Sequence, residues 1–253
     1  MIITFLGTGT SQGVPVIGCN CVVCTSNDPA DNRLRSSVHI LADDISIVVD
    51  TGPDFRQQML REDIKELDAV LFTHHHKDHI AGMDDIRSFN FLQRKAIPVY
   101  ANTLTADQLT VEFAYVFEPN GYGGGPKIQL NEINANPFFI QGIKIDPIPV
   151  LHDKLPVLGY RLGNFTYITD ANFIDEETFV KIAGTEVLVL NALQKREHPS
   201  HFTLEEALLQ IERIRPKRAY LTHISHNMGL HKEINRDLPG NVQLAYDGLK
   251  LTL

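Results

Sequence analysis

The chain has 253 residues and a formal net charge of −8, with 43% hydrophobic and 21% charged side chains. This ordinary globular composition allows a core to be buried without disulfides, and the negative charge disfavours nucleic acid as a general partner. No window approaches the ~18 apolar residues of a membrane span, and the first residues, MIITFLGTGT, do not read as a signal peptide. We expect a single domain covering residues 1–253.

Short apolar, β-branched runs flanked by Gly, Pro, Asp or Asn predict strands along the whole chain. They cover residues 2–6, 37–41, 45–50, 69–73, 97–101, 143–150, 158–162, 165–170, 186–191, 218–223 and 249–253. Helical patterns between them cover residues 53–62 (with Pro53 in the first turn), 84–94, 103–116, 175–183 and 203–214. Thr203 and Glu206 form an approximate capping box at the start of the last of these helices.

The glycine-rich stretch 120–126 is the loosest part of the sequence. Its glycines permit backbone shapes that other residues resist. The stretch is either a flap over a site or a permissive surface loop, and the sequence leaves both interpretations open.

The cysteines are Cys19, Cys21 and Cys24, in the pattern C-x-C-x-x-C. An odd number of closely spaced thiols indicates a metal site in a reducing compartment rather than a disulfide framework, which favours a cytoplasmic location. Three thiolates and one histidine make a closed tetrahedral zinc site. The best candidate for the fourth ligand is His226, and the alternative is three free or buried thiols.

The strand at 69–73 runs directly into His74-His75-His76-Lys77-Asp78-His79, which contains H-x-H-x-D-H. Imidazole and carboxylate groups are natural ligands for zinc and similar divalent ions. In a tight turn, alternate residues point to one side, so His74 and His76 can share one metal while Asp78 and His79 reach a second. The alternative is a solvated polar turn.

Two metals need further ligands, and the sequence offers them where strands end. His152, Asp170 and His223 each follow an apolar, strand-like run. Taken alone, each could be an ordinary surface or turn residue. Their shared placement on rigid supports favours a role in a metal site.

This pattern of ligands resembles the metallo-β-lactamase superfamily over essentially the whole chain. The resemblance implies an α+β fold, a four-layer αββα sandwich with the metals at one edge of the sheets. By position, it assigns the first metal to His74, His76 and His152. It assigns the second metal to Asp78, His79 and His223, with Asp170 bridging the two.

Asp50, in the segment IVVDTGPDF, matches the family's Asp-x-Gly position. The resemblance places this carboxylate behind the metals, where it orients a ligand. A carboxylate in such a place fixes the tautomer of an imidazole.

The early segment GTGTSQGVP, the cysteines and the segment LTHISH resemble the cyclic phosphodiesterases of phosphonate breakdown. Those enzymes carry two catalytic metals and one structural zinc, and they hydrolyse a phosphoribosyl cyclic phosphate. His201 matches a histidine that contacts the phosphate in that family. His198 competes for this role, and only the match in position favours His201.

We therefore expect a metal-dependent hydrolase that cleaves a small or cyclic phosphodiester through a metal-bridging hydroxide. The expected cofactors are two divalent ions, Zn or Mn, and one structural Zn. His201 and Asp78 are the expected catalytic residues. The expected partner is a small phosphorylated substrate, with no membrane, and a homodimer is expected on base rates for soluble enzymes.

Other functions fit the same fold. Relatives process RNA 3′ ends, hydrolyse thioesters or lactams, or carry out oxygen chemistry on iron. From another class, the protein of pyrroloquinoline quinone synthesis shares the cysteine pattern but has a depleted catalytic ligand set, and it suggests a non-catalytic carrier. The seven filled ligand positions favour catalysis here.

The segment Arg33-Leu34-Arg35-Ser36-Ser37 offers arginine and hydroxyl groups, which suit phosphate oxygens. The segment could equally be a solvated loop that leads into a strand. The sequence does not decide between the two.

Overall fold

The computed structural model describes residues 1–118 and 124–253, so most of the glycine-rich stretch 120–126 lies outside the described residues. Contacts between Cα atoms divide the chain into two compact units. Unit 1 comprises residues 1–6, 37–134 and 250–253, and unit 2 comprises residues 7–36 and 135–249. Among the described residues, no helix has the length and apolar character needed to cross a membrane.

Strands alternate with short helices along the described chain. The strands are β1 (Ile2–Gly7), β2 (Ser37–Ala42), β3 (Ile45–Val49), β4 (Ala69–Leu71), β5 (Ile97–Ala101), β6 (Ile128–Glu132), β7 (Phe138–Ile140), β8 (Ile143–His152), β9 (Leu155–Leu162), β10 (Phe165–Ile168), β11 (Val187–Asn191), β12 (Arg218–Thr222), β13 (Val242–Leu244) and β14 (Lys250–Thr252). The α-helices are α1 (Phe55–Arg61), α2 (Lys77–Ile80), α3 (Arg87–Gln93), α4 (Thr103–Glu112), α5 (Ala114–Phe117), α6 (Glu176–Ile182), α7 (Leu204–Ile214) and α8 (His231–Asp237).

Unit 1 contains a mixed sheet of seven strands in the order β14-β1-β2-β3-β4-β5-β6. Strands β3 to β6 run parallel, with β4 paired to β3 through Val48↔Val70 and to β5 through Val70↔Val99. Apolar residues of these strands pack against α1, α3 and α4 in one buried cluster, with Val48, Val70 and Phe89 among its members. Because β3 and β4 are parallel, the segments that follow them leave the sheet at the same edge.

Unit 2 contains a second mixed sheet of seven strands in the order β13-β12-β11-β10-β9-β8-β7. Strands β10 to β13 are parallel, and β8 pairs with β9 antiparallel, as does β9 with β10. Strand β8 therefore runs in the same direction as β10 and β12. The carboxyl ends of these three strands meet at one edge of the sheet.

Helix α7 covers one face of this second sheet and begins with the expected cap. The Thr203 side chain accepts from the Glu206 backbone N–H, and the Glu206 carboxylate accepts from the Thr203 N–H. Its buried positions, Ala207 and Ile211, join the core of unit 2. Spacing of i and i+4 puts both on one face of the helix.

Several boundaries differ from the sequence-based expectations. Helix α1 begins at Phe55, so the placement of Pro53 in its first turn is wrong. The region 84–94 divides into a 3-10 turn, Met83–Ile86, and α3. The region 103–116 is broken at Phe113, whose φ of −115° is not helical.

The sequence patterns missed five short elements, namely β6, β7, β13, α2 and α8. Strand β6 reads IQLNE and lies at the edge of its sheet, and β13 has three residues at an edge as well. An edge strand buries little, so its side chains show weak apolar alternation. Helices α2 and α8 bury only one or two residues each, which leaves no amphipathic signal.

Candidate metal centre

The H-x-H-x-D-H motif follows β4 and turns directly into α2. His74 and His79 are fully buried, and Asp78 is half-buried. His74 Nε2 lies 3.0 Å from His76 Nδ1, and His79 Nε2 lies 3.2 Å from Asp78 Oδ2. The motif thus presents two neighbouring pairs of ligand atoms, in the pairing that the sequence predicts.

Asp50, which directly follows β3, is fully buried behind these histidines. Its carboxylate accepts from Nδ1 of His79 at 2.7 Å, from the Thr73 N–H at 2.8 Å and from the Thr73 hydroxyl at 2.8 Å. Burial raises the pKa of this carboxyl, and the neighbouring His79 and the donors from Thr73 oppose that shift. Asp50 therefore holds Nδ1 of His79 protonated and leaves Nε2 to face Asp78.

Asp50 also fixes the tautomer of His74, through the hydroxyl group of Thr73. The hydroxyl proton of Thr73 goes to Asp50, so the contact of 3.0 Å between Thr73 Oγ1 and His74 Nδ1 requires His74 to donate. Nε2 of His74 then carries a lone pair on the side of His76. One carboxylate thus sets the tautomers of two histidines, in the form that metal coordination requires.

Unit 2 gathers the remaining predicted ligands at the carboxyl edge of its sheet. His152 ends β8, Asp170 follows β10 and His223 follows β12, and all three are buried. His152 Nδ1 donates to the Ser200 carbonyl at 2.6 Å, which leaves Nε2 for a ligand. His223 Nδ1 lies 3.0 Å from Asp170 Oδ1, and ligand atoms of His152 and Asp170 lie within 4.8 Å of each other.

Three of these strand-end positions have a left-handed backbone. The φ angles are +64° at Asp50, +55° at Asp170 and +56° at His223. Residues other than glycine rarely adopt this region, and such strain concentrates at functional sites. The turn lets each strand end sharply and keeps its side chain at the sheet edge.

His201 lies between two of the ligands in unit 2. Its ring stacks on that of His223, with centroids 4.8 Å apart and an interplanar angle of 22°, and it lies 4.4 Å from the ring of His152. Burial, followed by the nearby His223, lowers the pKa of His201 to about 3. The ring is therefore neutral at pH 7, and its Nδ1 has no hydrogen-bond partner within the described residues. His198 contacts the ring of His201 at 5.0 Å.

The three cysteines converge on His226. Their Sγ atoms lie 3.2, 3.5 and 3.4 Å from His226 Nδ1 for Cys19, Cys21 and Cys24. A tetrahedral zinc with Zn–S of about 2.3 Å and Zn–N of about 2.0 Å separates sulfur from nitrogen by about 3.5 Å. The four side chains therefore have the spacing of a closed tetrahedral site.

Backbone N–H groups donate to the sulfur atoms of two of these cysteines. The Cys24 N–H donates to Cys21 Sγ and lowers the pKa of the Cys21 thiol to about 6. Burial raises the pKa of the Cys24 thiol to about 11, although the Val16 N–H donates to its sulfur at 3.3 Å. A thiolate is the form that binds a metal, so the Cys21 sulfur is the readiest ligand.

Sequence reasoning missed several residues that position these ligands. Asn191, at the end of β11, accepts from the Ala171 N–H at 2.8 Å and donates to the Ala171 carbonyl at 2.9 Å, which pins the turn after Asp170. Thr10 Oγ1 lies 3.3 Å from His223 Nε2. Asn191 ends a strand-like run, and Thr10 comes shortly after one. Neither position was predicted to be functional, because amide and hydroxyl side chains are common at turns.

Comparison with known proteins agrees with this description. The model of the Beta-lactamase superfamily domain matches residues 46–224. The solved structure titled a new diphosphatase from the PhnP family has a TM-score of 0.93 and 42% identity, and the match covers 100% of this chain and 97% of that chain. Zn(2+)-bound PqqB from Methylobacterium extorquens has a TM-score of 0.80 at 18% identity, covers 100% of both chains and shows the fold alone.

A curated octanoyltransferase from Porphyromonas gingivalis is 40% identical over 248 residues, which are 97% of this chain and 50% of that protein. The chain thus spans half the length of this relative. The match to the family model covers well over half of the chain, and the two mixed sheets with their helices confirm the α+β fold that the resemblance implied. The chain belongs to the metallo-β-lactamase superfamily of hydrolases and resembles its PhnP family.

Proposed function

We propose that the protein is a phosphodiesterase for small or cyclic substrates that uses two divalent metal ions, Zn or Mn. The observation that carries the proposal is the control of histidine protons by Asp50. The 42% identical diphosphatase supports an attack on phosphorus. The proposed substrate class is therefore a small phosphodiester, with diphosphate esters as its nearest extension.

The proposed metal ligands are those that the family pattern assigns. They are His74, His76, Asp78, His79, His152, Asp170 and His223. We propose that these seven residues serve one metal pair. Cys19, Cys21, Cys24 and His226 would hold a structural zinc.

The tautomers of three histidines fit metal binding better than a hydrogen-bonded network without a metal. Nδ1 of His79, His74 and His152 each donates to an oxygen, of Asp50, Thr73 and Ser200 respectively. Each ring therefore keeps a lone pair at Nε2, the atom that a divalent ion needs. When bound, two such metals polarise a phosphoryl oxygen and lower the pKa of a water molecule towards ~7.

His201 completes the proposed site as a neutral hydrogen-bond donor. Because burial keeps the ring neutral, it carries one N–H, which can donate to a non-bridging phosphate oxygen. Proton donation from an imidazolium is disfavoured in this environment. Asp78 takes part as a carboxylate ligand held beside His79.

The named octanoyltransferase suggests acyl chemistry as an alternative. That name belongs to a protein of which the chain matches half, so acyl transfer can reside in the other half. A carrier role like that of PqqB is the alternative from another class. Both alternatives predict no cleavage of phosphodiesters.

The test uses purified protein whose metal content has been measured. It is assayed on bis(p-nitrophenyl) phosphate, a 2′,3′-cyclic nucleotide, a nucleoside diphosphate ester and an octanoyl thioester, with zinc or manganese supplied. We expect cleavage of phosphate esters that falls by at least about 10³-fold in His76→Ala and Asp170→Ala. Unchanged activity in both variants, or cleavage of the thioester alone, would refute the proposal.

The proposal extends to the location, partner, assembly and domain organisation of the protein. Three reduced thiols committed to one metal site favour a cytoplasmic location. A small phosphorylated substrate remains the proposed partner, a homodimer remains the proposed assembly, and residues 1–253 remain proposed as a single domain. Gel filtration coupled to light scattering would test the assembly.

A further inference from the structure

A basic cavity of about 520 Å³ lies in unit 1, beside α3 and the segments that lead into β5 and β6. Among the described residues, its lining includes four cations and no carboxylate. The cations are Arg87, Arg94, Lys95 and Lys127. The whole chain has a net charge of −8, so this concentration of positive charge is a local feature. A cavity of this size is typical of a site for a small ligand.

The cavity lies at the opposite edge of the sheet from the histidine motif. Strands β4, β5 and β6 run parallel, and the motif follows the carboxyl end of β4. Lys95 and Lys127 instead precede the amino ends of β5 and β6. The amino ends of parallel strands meet at one edge of a sheet, away from their carboxyl ends. A ligand in this cavity would therefore occupy a site separate from the histidine motif.

A buried asparagine joins the two basic segments. Asn90, on α3, is 8% exposed, and its Nδ2 donates to the carbonyls of Lys95 and Lys127, each at 2.9 Å. Its Oδ1 accepts from the Lys127 N–H at 2.8 Å, and the Ile97 N–H donates to the Lys127 carbonyl at 3.0 Å. One side chain thus fixes the backbone of both segments, so the cations they carry are held close together.

Two of the four cations are available to a ligand. The side chains of Arg94 and Lys127 are exposed and form no ion pair or hydrogen bond with the part of the chain that the structure describes. Lys95 differs, because its Nζ lies 2.7 Å from a carboxylate oxygen of Asp68. The cavity therefore offers two uncommitted positive charges, one from each of the segments that Asn90 joins.

An exposed aromatic ring also lines the cavity. Phe91 is 71% exposed and lies four residues after Arg87 on α3, so both side chains are on one face of the helix. Arg87 lies 3.3 Å from Asp84, whereas Phe91 is not part of the buried cluster of unit 1. An exposed ring beside cations offers a flat surface on which a nucleobase can stack.

We propose that this cavity binds a free nucleotide with two or more phosphates, its base on Phe91 and its phosphates against Arg94 and Lys127. An inorganic anion would leave the ring unused, and an uncharged nucleoside would leave the cations unused. A nucleic acid strand needs a basic groove that continues along its backbone, whereas this positive charge is confined to one cavity. Binding here needs no metal pair, so the inference does not rest on the proposed function.

Isothermal titration at physiological salt tests the two halves of the site separately. The probes are α,β-methylene adenosine diphosphate and methylenediphosphonate, which lack a hydrolysable bridge between phosphorus atoms. We expect Arg94→Gln with Lys127→Gln to raise the Kd of both probes about tenfold. Phe91→Ala should raise the Kd of the nucleotide about tenfold and that of methylenediphosphonate less than twofold. Phe91→Leu, which keeps an apolar side chain but loses the ring, should resemble Phe91→Ala.

Matched variants control for charge and for exposed rings. Arg56→Gln with Lys65→Gln removes the same charge from exposed positions of unit 1 that do not line this cavity. Phe139→Ala removes a ring that is 64% exposed on the edge strand β7. Both controls should keep the wild-type dissociation constants. A probe bound at the proposed metal centre would respond equally in the variants and in their controls.

Photolabelling with an azidoadenosine diphosphate, followed by peptide mapping, locates the bound base. We expect the label within residues 87–95, with less label in Phe91→Ala. A label confined to residues 74–79, or equal affinities in the variants and their controls, would overturn the proposal. A single-stranded oligoadenylate serves as the second ligand. If it bound more tightly than the nucleotide and lost affinity in the same variants, the site would belong to nucleic acid and the proposal would be wrong.

Discussion

Asp50 accepts the Nδ1 proton of His79 at 2.7 Å, and both side chains are completely shielded from solvent. Through Thr73 the same carboxylate fixes the tautomer of His74. Asp50 comes from the end of β3, whereas the histidines follow β4, its parallel neighbour. Two adjacent strands thus supply four of the proposed metal ligands and the carboxylate that orients two of them.

Replacement of Asp50 by asparagine should weaken metal binding without unfolding the protein. The asparagine amide would place an N–H against the donors from His79 and Thr73. The imidazoles of His79 and His74 would then no longer be held in their present tautomers. We expect metal affinity to fall about 10- to 100-fold, measured by competition with a chelator. Asp63→Asn is the matched control, because Asp63 is exposed and also has a positive φ, of +54°. Equal affinity in the two variants would contradict the orienting role.

Gly82 allows the loop after β3 to approach the histidine turn closely. A Cβ at this position would lie 2.1 Å from the Gly52 carbonyl oxygen and 2.8 Å from Phe55 Cβ. We expect Gly82→Ala to lower the free energy of unfolding by about 1–3 kcal/mol or more, since backbone must move. Urea titration compares it with Gly240→Ala, where an added Cβ meets nothing within 4 Å. If Gly82→Ala proved as stable as Gly240→Ala, the loop after β3 would be able to adapt to the added Cβ, and the prediction would be wrong.

Removal of one thiolate should remove one metal ion and much stability. Metal analysis should find roughly three ions per wild-type chain and roughly two in Cys21→Ser, with the phosphodiesterase metals retained. Zinc should also protect the cysteines of the wild-type protein from iodoacetamide, because a coordinated thiolate is a poor nucleophile. Three ions in the variant, or alkylation at the same rate with and without zinc, would argue against the site.

His201 and His198 should differ in their effect on catalysis. His201 packs against both His152 and His223, whereas His198 packs against the ring of His201. We expect His201→Ala to lower kcat by about 10²-fold and His198→Ala by less than threefold. Steady-state kinetics on the substrate found most active would decide this. The reverse order would assign the phosphate contact to His198.

His39 should make the protein less stable at mildly acidic pH. The Ser46 hydroxyl donates to the Glu66 carbonyl at 2.6 Å, so the contact of 2.9 Å between His39 Nε2 and Ser46 Oγ requires a proton on His39 Nε2. Burial lowers the pKa of His39 to about 4, below its usual ~6.5. The unfolded chain therefore binds more protons than the folded chain between these values, and stability falls as pH decreases through that window.

The expected size of this effect is ~3 kcal/mol between pH 7.5 and pH 4. Urea unfolding of the wild type and of His39→Gln at both pH values measures it, because the difference between the two proteins removes the contribution of other titrating groups. An identical loss in both proteins would show that His39 does not cause it.

The sequence revealed the ligand types, and the structure supplied what controls them. H-x-H-x-D-H and the residues at strand ends were visible because chemistry restricts metal ligands to few residue types. Thr73, Asn191 and the Ser200 carbonyl were not visible, because hydroxyl, amide and backbone groups occur at every turn. Their roles depend on long-range contacts, such as that between Asn191 and Ala171, which no local pattern encodes.

Dependence on long-range contacts also explains why some strands were not predicted from the sequence. Apolar runs such as those of β10 and β11 predicted their strands, since burial on both faces imposes composition. Edge strands such as β6 and β13 derive their conformation from one neighbour and carry little signal of their own. Arg33 and Arg35 illustrate this limit, because they look alike in the sequence. In the structure, Arg33 is buried and donates to the Thr8 hydroxyl and the Ala245 carbonyl, whereas Arg35 is half-buried.

A single tetrapeptide, residues 223–226, carries both a proposed ligand of the metal pair, His223, and the proposed fourth ligand of the cysteine site, His226. It is anchored at Ile224, whose N–H donates to the Thr8 carbonyl, and at Ser225, whose N–H donates to the Leu193 carbonyl. A metal ion bound by the thiols and His226 would therefore also restrain the backbone of His223, three residues earlier in the chain.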